Sequence, residues 1–111
     1  MVWRQILADK RQHTVAGFIG TKPVTACTVV IVPNLTHSAR PYALVENVIT
    51  DAGHRKQGFA TAALNYAREI ALRENCYKLM LLTGSKEEST LRFYEQAGYN
   101  RCDKTGFVQW L

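Results

Sequence analysis

Apolar and polar residues alternate with different periods along this chain, and each change of period marks a change of element. Phe59, Ala60, Ala63, Leu64, Ala67, Ile70 and Ala71 recur at helical spacing, with Arg68, Glu69 and Arg73 mostly off the stripe. That pattern predicts an amphipathic helix over 58–74 covering a sheet. Upstream, HTVAGFIG and the β-branched run VTACTVVIV flank the turn-prone Thr21-Lys22-Pro23, which predicts a hairpin of strands near 13–19 and 24–32. PNLTHSARP, 33–41, begins and ends in proline and is polar, so it should be a surface loop. YALVENVIT then predicts a strand over 42–50, with Glu46, Val48 and Thr50 on one face and Val45, Asn47 and Ile49 on the other.

CYKLMLLTG is nearly all apolar, as expected of a strand buried on both faces. Ser85 and Glu88 have the spacing of a capping box, and Gly98 ends the helix that follows in a left-handed position. Two last strands, near 99–103 and 106–111, can pair across Asp103-Lys104-Thr105-Gly106. At the other end, residues 2–10 predict a short helix with Val2 and Ile6, and also Trp3 and Leu7, facing inward. The fold class is α/β of the mixed α+β kind. Its sheet is mostly antiparallel, with one right-handed, parallel strand-helix-strand crossover over 42–83.

The 111 residues suit one domain, and 47% hydrophobic with 21% charged residues is ordinary globular composition. No repeat or low-complexity segment occurs. The net charge of +5 favours anionic partners, but the Lys and Arg residues are scattered, so net charge alone stands behind a nucleic-acid-binding reading. Cys27, Cys76 and Cys102 form no CxxC pair, suggest neither a disulfide framework nor a zinc site, and fit a reducing cytoplasm. MVWRQILADKR mixes charges too closely for a signal peptide, and no run of 18 apolar residues exists, so neither export nor membrane insertion is expected.

One short stretch carries chemistry. HRKQGFA, 54–60, places Arg55 and Lys56 before Gly58 at a helix start where no Ser, Thr, Asp or Asn at 55–58 can cap the helix. The first N–H groups of a helix lack intrahelical partners, and with the macrodipole they carry about half a positive charge. Phosphate could take the missing cap's place, with Gly58 and Ala60 letting its oxygens reach the backbone. The competing reading is a solvated basic turn whose glycine merely eases entry into the helix. No GK[ST] follows, and G-x-G-x-x-G is absent, which excludes a Walker loop and a dinucleotide fingerprint.

VENVITDAGHRKQGFATAAL together with LLTGSKEESTLRFYEQAGY resembles the GCN5-related N-acetyltransferase superfamily, over about residues 12–111. The first segment matches its [QR]-x-x-G-x-[GA] acetyl-CoA motif. The second matches F-Y-x-x-x-G-[FY] through Phe93, Tyr94, Gly98 and Tyr99. The resemblance implies acetyl-CoA as cosubstrate, no metal, and transfer of acetyl to a primary amine of a small molecule or peptide by direct attack. It implies that Arg55, Lys56, Gln57, Gly58, Phe59, Ala60 and Thr61 hold the pyrophosphate. Val48 and Ile49 would lie beside the pantetheine arm, where a backbone N–H would polarise the thioester carbonyl.

Tyr94 matches the tyrosine near the sulfur. With an unperturbed phenol near about 10 against about 8.5 for a thiol, donating a hydrogen bond to the leaving sulfur fits it better than full proton transfer. The alternative is a tyrosine packed beside Leu91. Glu46 is the candidate base, acting through water, and burial on the strand would favour that role. It could instead bind the substrate ammonium, or pair structurally with an arginine such as Arg40. His54 borders the turn, solvated or near the cofactor, and the cysteines should pack as small hydrophobes.

This sequence departs from the family pattern twice. Glu87 stands where many members carry an asparagine that contacts the cofactor. Only about a dozen residues precede the first hairpin, so the fold is expected to be N-terminally shortened, leaving an open edge at 13–19. A homodimer, or another subunit, is expected there. The same shortening leaves a second functional reading open, a non-catalytic coenzyme A-binding module without an acceptor wall.

Overall fold

A computed structural model describes all residues from Met1 to Leu111. The chain divides into two compact units, Met1–Leu81 and Leu82–Leu111.

In the first unit, α1 (Val2–Ala8) leads into β1 (Gln12–Ile19) and β2 (Lys22–Val32). A single turn α2 (Thr36–Ala39) and β3 (Tyr42–Thr50) follow. A 3-10 turn (Ala52–His54), α3 (Phe59–Arg73) and β4 (Leu79–Leu81) complete the unit. The sheet runs β1-β2-β3-β4, with β1, β2 and β3 antiparallel and β4 parallel to β3. This is the mixed sheet with an α3 crossover that the hydrophobic pattern predicts.

The core lies between α3 and the sheet. Cys27, Val29, Ile31, Val15, Ala43 and Val45 are buried against Ala63, Leu64, Ala67, Ile70 and Ala71. Three of the five helix residues are alanines, so the helix can lie close to β2, and the Cys27 thiol reaches the Ala63 carbonyl at 3.9 Å. Leu64 and Val29 are among the most buried side chains, each stabilising the fold by about 1.5–3 kcal/mol through removal from water.

Several expectations change. The α1 side chains do not face inward: Val2, Trp3 and Leu7 are exposed and only Ile6 is half-buried. The 33–41 segment is a surface loop carrying one left-handed turn, with φ of 53° at His37, 59° at Ser38 and 59° at Ala39. The His37 ring stacked on Tyr77 at 3.8 Å holds that turn, as does the Arg40 N–H donated to the His37 carbonyl. β4 is only three residues long and half-buried, because α3 packs over β2, β1 and β3.

β3 is interrupted by a bulge. Thr28 pairs with Glu46 and Ala26 with Ile49, so β3 spends one residue more than β2 across this span. Asn47 absorbs it with φ of 55°. Side chains directly opposite each other share a face, so Glu46 and Ile49 lie on the same side of the sheet. Thr50, opposite Thr25, lies on the other side. The expected Glu46-Val48-Thr50 face does not exist.

In the second unit, α4 (Glu88–Gln96) starts three residues past Ser85. No capping box forms. The Ser85 hydroxyl accepts the Glu87 N–H at 3.3 Å in a turn outside the helix, and Glu87 occupies the N-cap without a side-chain bond. Gly98 ends the helix as expected, at φ of 105°. The Tyr99 N–H reaches the Tyr94 carbonyl and the Gly98 N–H the Glu95 carbonyl, both at 3.0 Å, a Schellman closure. The two last strands are absent. In the first of them two backbone donors are used locally, Tyr99 in that closure and Cys102 on Asn100 Oδ1 at 2.8 Å. Arg101 is held by Glu88 at 2.6 Å and Glu95 at 2.7 Å.

Candidate active site

The turn between β3 and α3 contains two left-handed residues, Lys56 at φ of 62° and Gly58 at φ of 85°, separated by Gln57. Gly58 is the N-cap of α3, and no side chain caps the helix. The first bond that closes α3 runs from the Ala62 N–H to the Gly58 carbonyl at 3.0 Å. The N–H groups of Phe59, Ala60 and Thr61 therefore have no partner in the chain.

A Cβ added at Gly58 would meet nothing within 4 Å, so the turn is open at Gly58 itself. Three orphan donors at an uncapped helix start, with Arg55 and Lys56 alongside, can accept a phosphate group.

Asp51 braces this turn. Its N–H donates to the Val24 carbonyl at 2.8 Å and its carbonyl accepts the His54 N–H at 2.9 Å. Its carboxylate binds His54 Nδ1 at 2.7 Å, with Lys22 Nζ at 3.8 Å. The His54 hydrogen bond, with the Lys22 charge, holds the Asp51 carboxyl below the usual carboxylate range. A cleft of about 440 Å3 lies against the brace, lined by Val24 and Thr25 on one side and Ile49, Thr50, Asp51 and Arg55 on the other. Thr25 Oγ1 donates to the Ile49 carbonyl at 3.1 Å and lies 3.0 Å from Thr50 Oγ1, which secures β3 where it leaves the sheet.

On its β4 side, β3 is paired only through Ala43, Leu44 and Val45. From Glu46 onward that edge has no ladder partner within Met1–Leu81. Val48 is half-buried there, and Ile49 is 65% exposed. An unpaired strand edge can accept an extended ligand as an added strand.

Glu46 is exposed, on the face away from α3, and makes no hydrogen bond or ion pair. The expected burial is therefore missing, and the alternative pairing with Arg40 is not made. Arg40 donates instead to the carbonyls of Asn75 at 3.1 Å and Cys76 at 3.0 Å. Tyr94 is half-buried on α4 in the second unit, edge-on to Phe93 at 5.0 Å and to Tyr99 at 6.3 Å. Cys27 and Cys76 are buried as expected, and burial pushes both thiols up. Cys102 is exposed and does not pack as a small hydrophobe. No group of three or more His, Cys, Asp or Glu side chains is placed to hold a metal, and no helix is long and apolar enough to cross a membrane.

The Asp51–His54 pair and the Thr25–Thr50 brace are absent from the sequence reading. The only signal for the first is the D-x-x-H spacing. For the second there is none, since the partners lie on different strands.

The chain belongs to the GNAT acetyltransferase family, whose profile matches residues 2–99. The match begins ten residues before the segment over which the motifs resemble that family, and takes in α1. Members of the family use acetyl-CoA.

Among solved structures, the chain is similar to a protein of Agrobacterium tumefaciens described as an acetyltransferase, with 40% identity and a TM-score of 0.94. The alignment covers 99% of this chain and 76% of that one. A transcriptional regulator from Bacillus halodurans is 27% identical, with a TM-score of 0.88 and coverage of 98% and 73%. Glucosamine-6-phosphate N-acetyltransferase from Arabidopsis thaliana shares the fold at 15% identity, with a TM-score of 0.87 and coverage of 98% and 74%. Among curated proteins none matches the chain significantly in sequence.

Proposed function

We propose that the protein is a cytoplasmic N-acetyltransferase that moves acetyl from acetyl-CoA to a primary amine of a small molecule or peptide. The observation that carries this reading is the uncapped start of α3 at Gly58, with three N–H groups that have no partner in the chain. In it, the turn Arg55–Thr61 binds the pyrophosphate. The unpaired edge of β3 at Val48 and Ile49 takes the pantetheine arm as an added strand. The free amine attacks the carbonyl carbon, the C–N bond forms, and the C–S bond breaks.

Glu46 accepts the ammonium proton through water. Its exposure and lack of any partner suit a group that must meet a solvated cation, and such a base contributes about 10² to 10⁴. Tyr94 donates a hydrogen bond to the departing sulfur. Acetyl transfer to an amine is also what the Arabidopsis neighbour's name states of that protein. The same reading includes a second copy on the free edge of β1, where Phe18 and Ile19 are exposed.

Calorimetry with acetyl-CoA tests the cradle, and absence of binding at millimolar ligand overturns it. Thiol release across a panel of amines then tests catalysis. Binding without release would make the protein a coenzyme A-binding module, and unchanged turnover in Glu46→Gln and Tyr94→Phe would overturn their roles. A monodisperse monomer at high micromolar concentration in light scattering would remove the second copy.

A further inference from the structure

The Asp51–His54 pair is placed to do more than brace the turn. Asp51 is ionised at neutral pH, held so by the His54 hydrogen bond and by Lys22, and an ionised carboxylate can only accept. The hydrogen in the 2.7 Å contact therefore sits on His54 Nδ1. That leaves Nε2 as the variable atom, and it has no protein partner. The ring is edge-on to Phe59 at 6.0 Å, and Phe59 is the first residue of α3, whose N–H is one of the three unfilled donors. The His54 side chain is 23% exposed, so its outer nitrogen remains accessible to a ligand or to solvent.

The charged groups around that ring are Asp51, which meets its Nδ1, Lys22, 3.8 Å from the Asp51 carboxylate, and the adjacent Arg55 and Lys56. An anion seated at the start of α3 would screen the three cations and itself accept from a protonated Nε2. We propose that His54, oriented by Asp51, is a proton-carrying ligand of the cofactor's pyrophosphate, so that binding takes a proton from solvent onto Nε2. The inference rests on the coenzyme A reading of the turn. Asp51 is then a positioning residue that acts through His54, and the turn's three backbone donors gain a fourth, charge-assisted one.

The experiment is isothermal titration of the full chain with dephospho-coenzyme A, whose pyrophosphate keeps its charge across the neutral range, so any proton taken up belongs to the protein. Titrations in two buffers of different ionisation enthalpy count the protons. Wild type should take up a measurable fraction of a proton and bind about tenfold more tightly at about pH 6 than at about pH 8, the scale of one charged hydrogen bond.

His54→Asn keeps an amide N–H for Asp51 and has no outer nitrogen, so it should fold with an unchanged melting point and lose both the uptake and the pH dependence. Asp51→Asn should lose most of the uptake. Binding by wild type without uptake, or uptake retained in His54→Asn, overturns this inference while the cofactor site stands. Binding of coenzyme A without binding of dephospho-coenzyme A overturns it as well. If neither ligand binds wild type at any pH, the cofactor reading itself fails, and this inference fails with it.

Discussion

Placing valine at Gly58 separates the cost of a strained backbone from the loss of a ligand site. Gly58 sits at φ of 85° and ψ of 3°, where an L-residue costs about 1–2 kcal/mol. A Cβ there meets nothing within 4 Å, so no clash of the Cβ itself adds to that figure. The melting point should fall by several degrees, about 4 °C per kcal/mol for a chain of this size. On the coenzyme A reading, the valine side chain would also compete for space with a pyrophosphate bound at the unpartnered N–H groups of Phe59, Ala60 and Thr61. Losing two charge-assisted bonds at about 1.5–3 kcal/mol each corresponds to a hundredfold or greater loss of affinity.

Gly20→Val is the control, because Gly20 lies at φ of 60° with equally open space but in the β1–β2 turn. It should melt lower by a similar amount and bind normally. Arg55→Ala, which removes an assisting charge and leaves the backbone donors, should weaken binding only modestly. Calorimetry with coenzyme A, with thermal melts beside it, reads all three. A Gly58→Val protein that binds within about threefold of wild type, or a Gly20→Val protein that loses binding equally, would refute the clamp.

Three further outcomes are expected. Hydrogen bonds from Arg101 hold the carboxyls of Glu88 and Glu95 below their ordinary range. A depressed folded value stabilises the fold above the unfolded value near about 4.3, and that stability is lost as pH falls through the folded values. Melts taken below about pH 4.5 should therefore show a steep decline that Arg101→Gln flattens and molar salt weakens. Leu64→Ala, at 1% exposure on the buried face of α3, should cost about 2.7–5 kcal/mol in chemical denaturation with little change in the slope. A thiol reagent should label Cys102 at once in the native protein, and Cys27 and Cys76 only as the fold opens, because burial disfavours both thiolates.

Elements whose signal lies within one stretch of chain are where they were expected. β3 spans Tyr42–Thr50, as its alternation implies, and the α3 stripe delivers Ala63, Leu64, Ala67, Ile70 and Ala71 to the core. The turn at 54–60 lacks a side-chain cap, as its composition requires. The misses have specific causes. Counting by twos cannot register a bulge, so Ile49 was expected away from Glu46. Ser85 and Glu88 have capping-box spacing, but the hydroxyl is spent on a turn before the helix begins. The terminal hairpin fails because Tyr99 and Cys102 give their N–H groups to local partners instead of a ladder.

The sequence by itself determined the order of elements, the buried stripe of the crossover helix, and a glycine turn whose helix has no internal cap. These follow from composition and spacing within a few turns of chain. Only the tertiary structure decided that Asn47 takes the extra residue and puts Glu46 and Ile49 on one face. It also sent Arg40 to the carbonyls at Asn75 and Cys76, leaving Glu46 without a partner. And it brought Lys22, from β2, to the Asp51 carboxylate beside the turn. Each of these depends on which strand lies opposite which and in what register, and register is set when the sheet closes against α3.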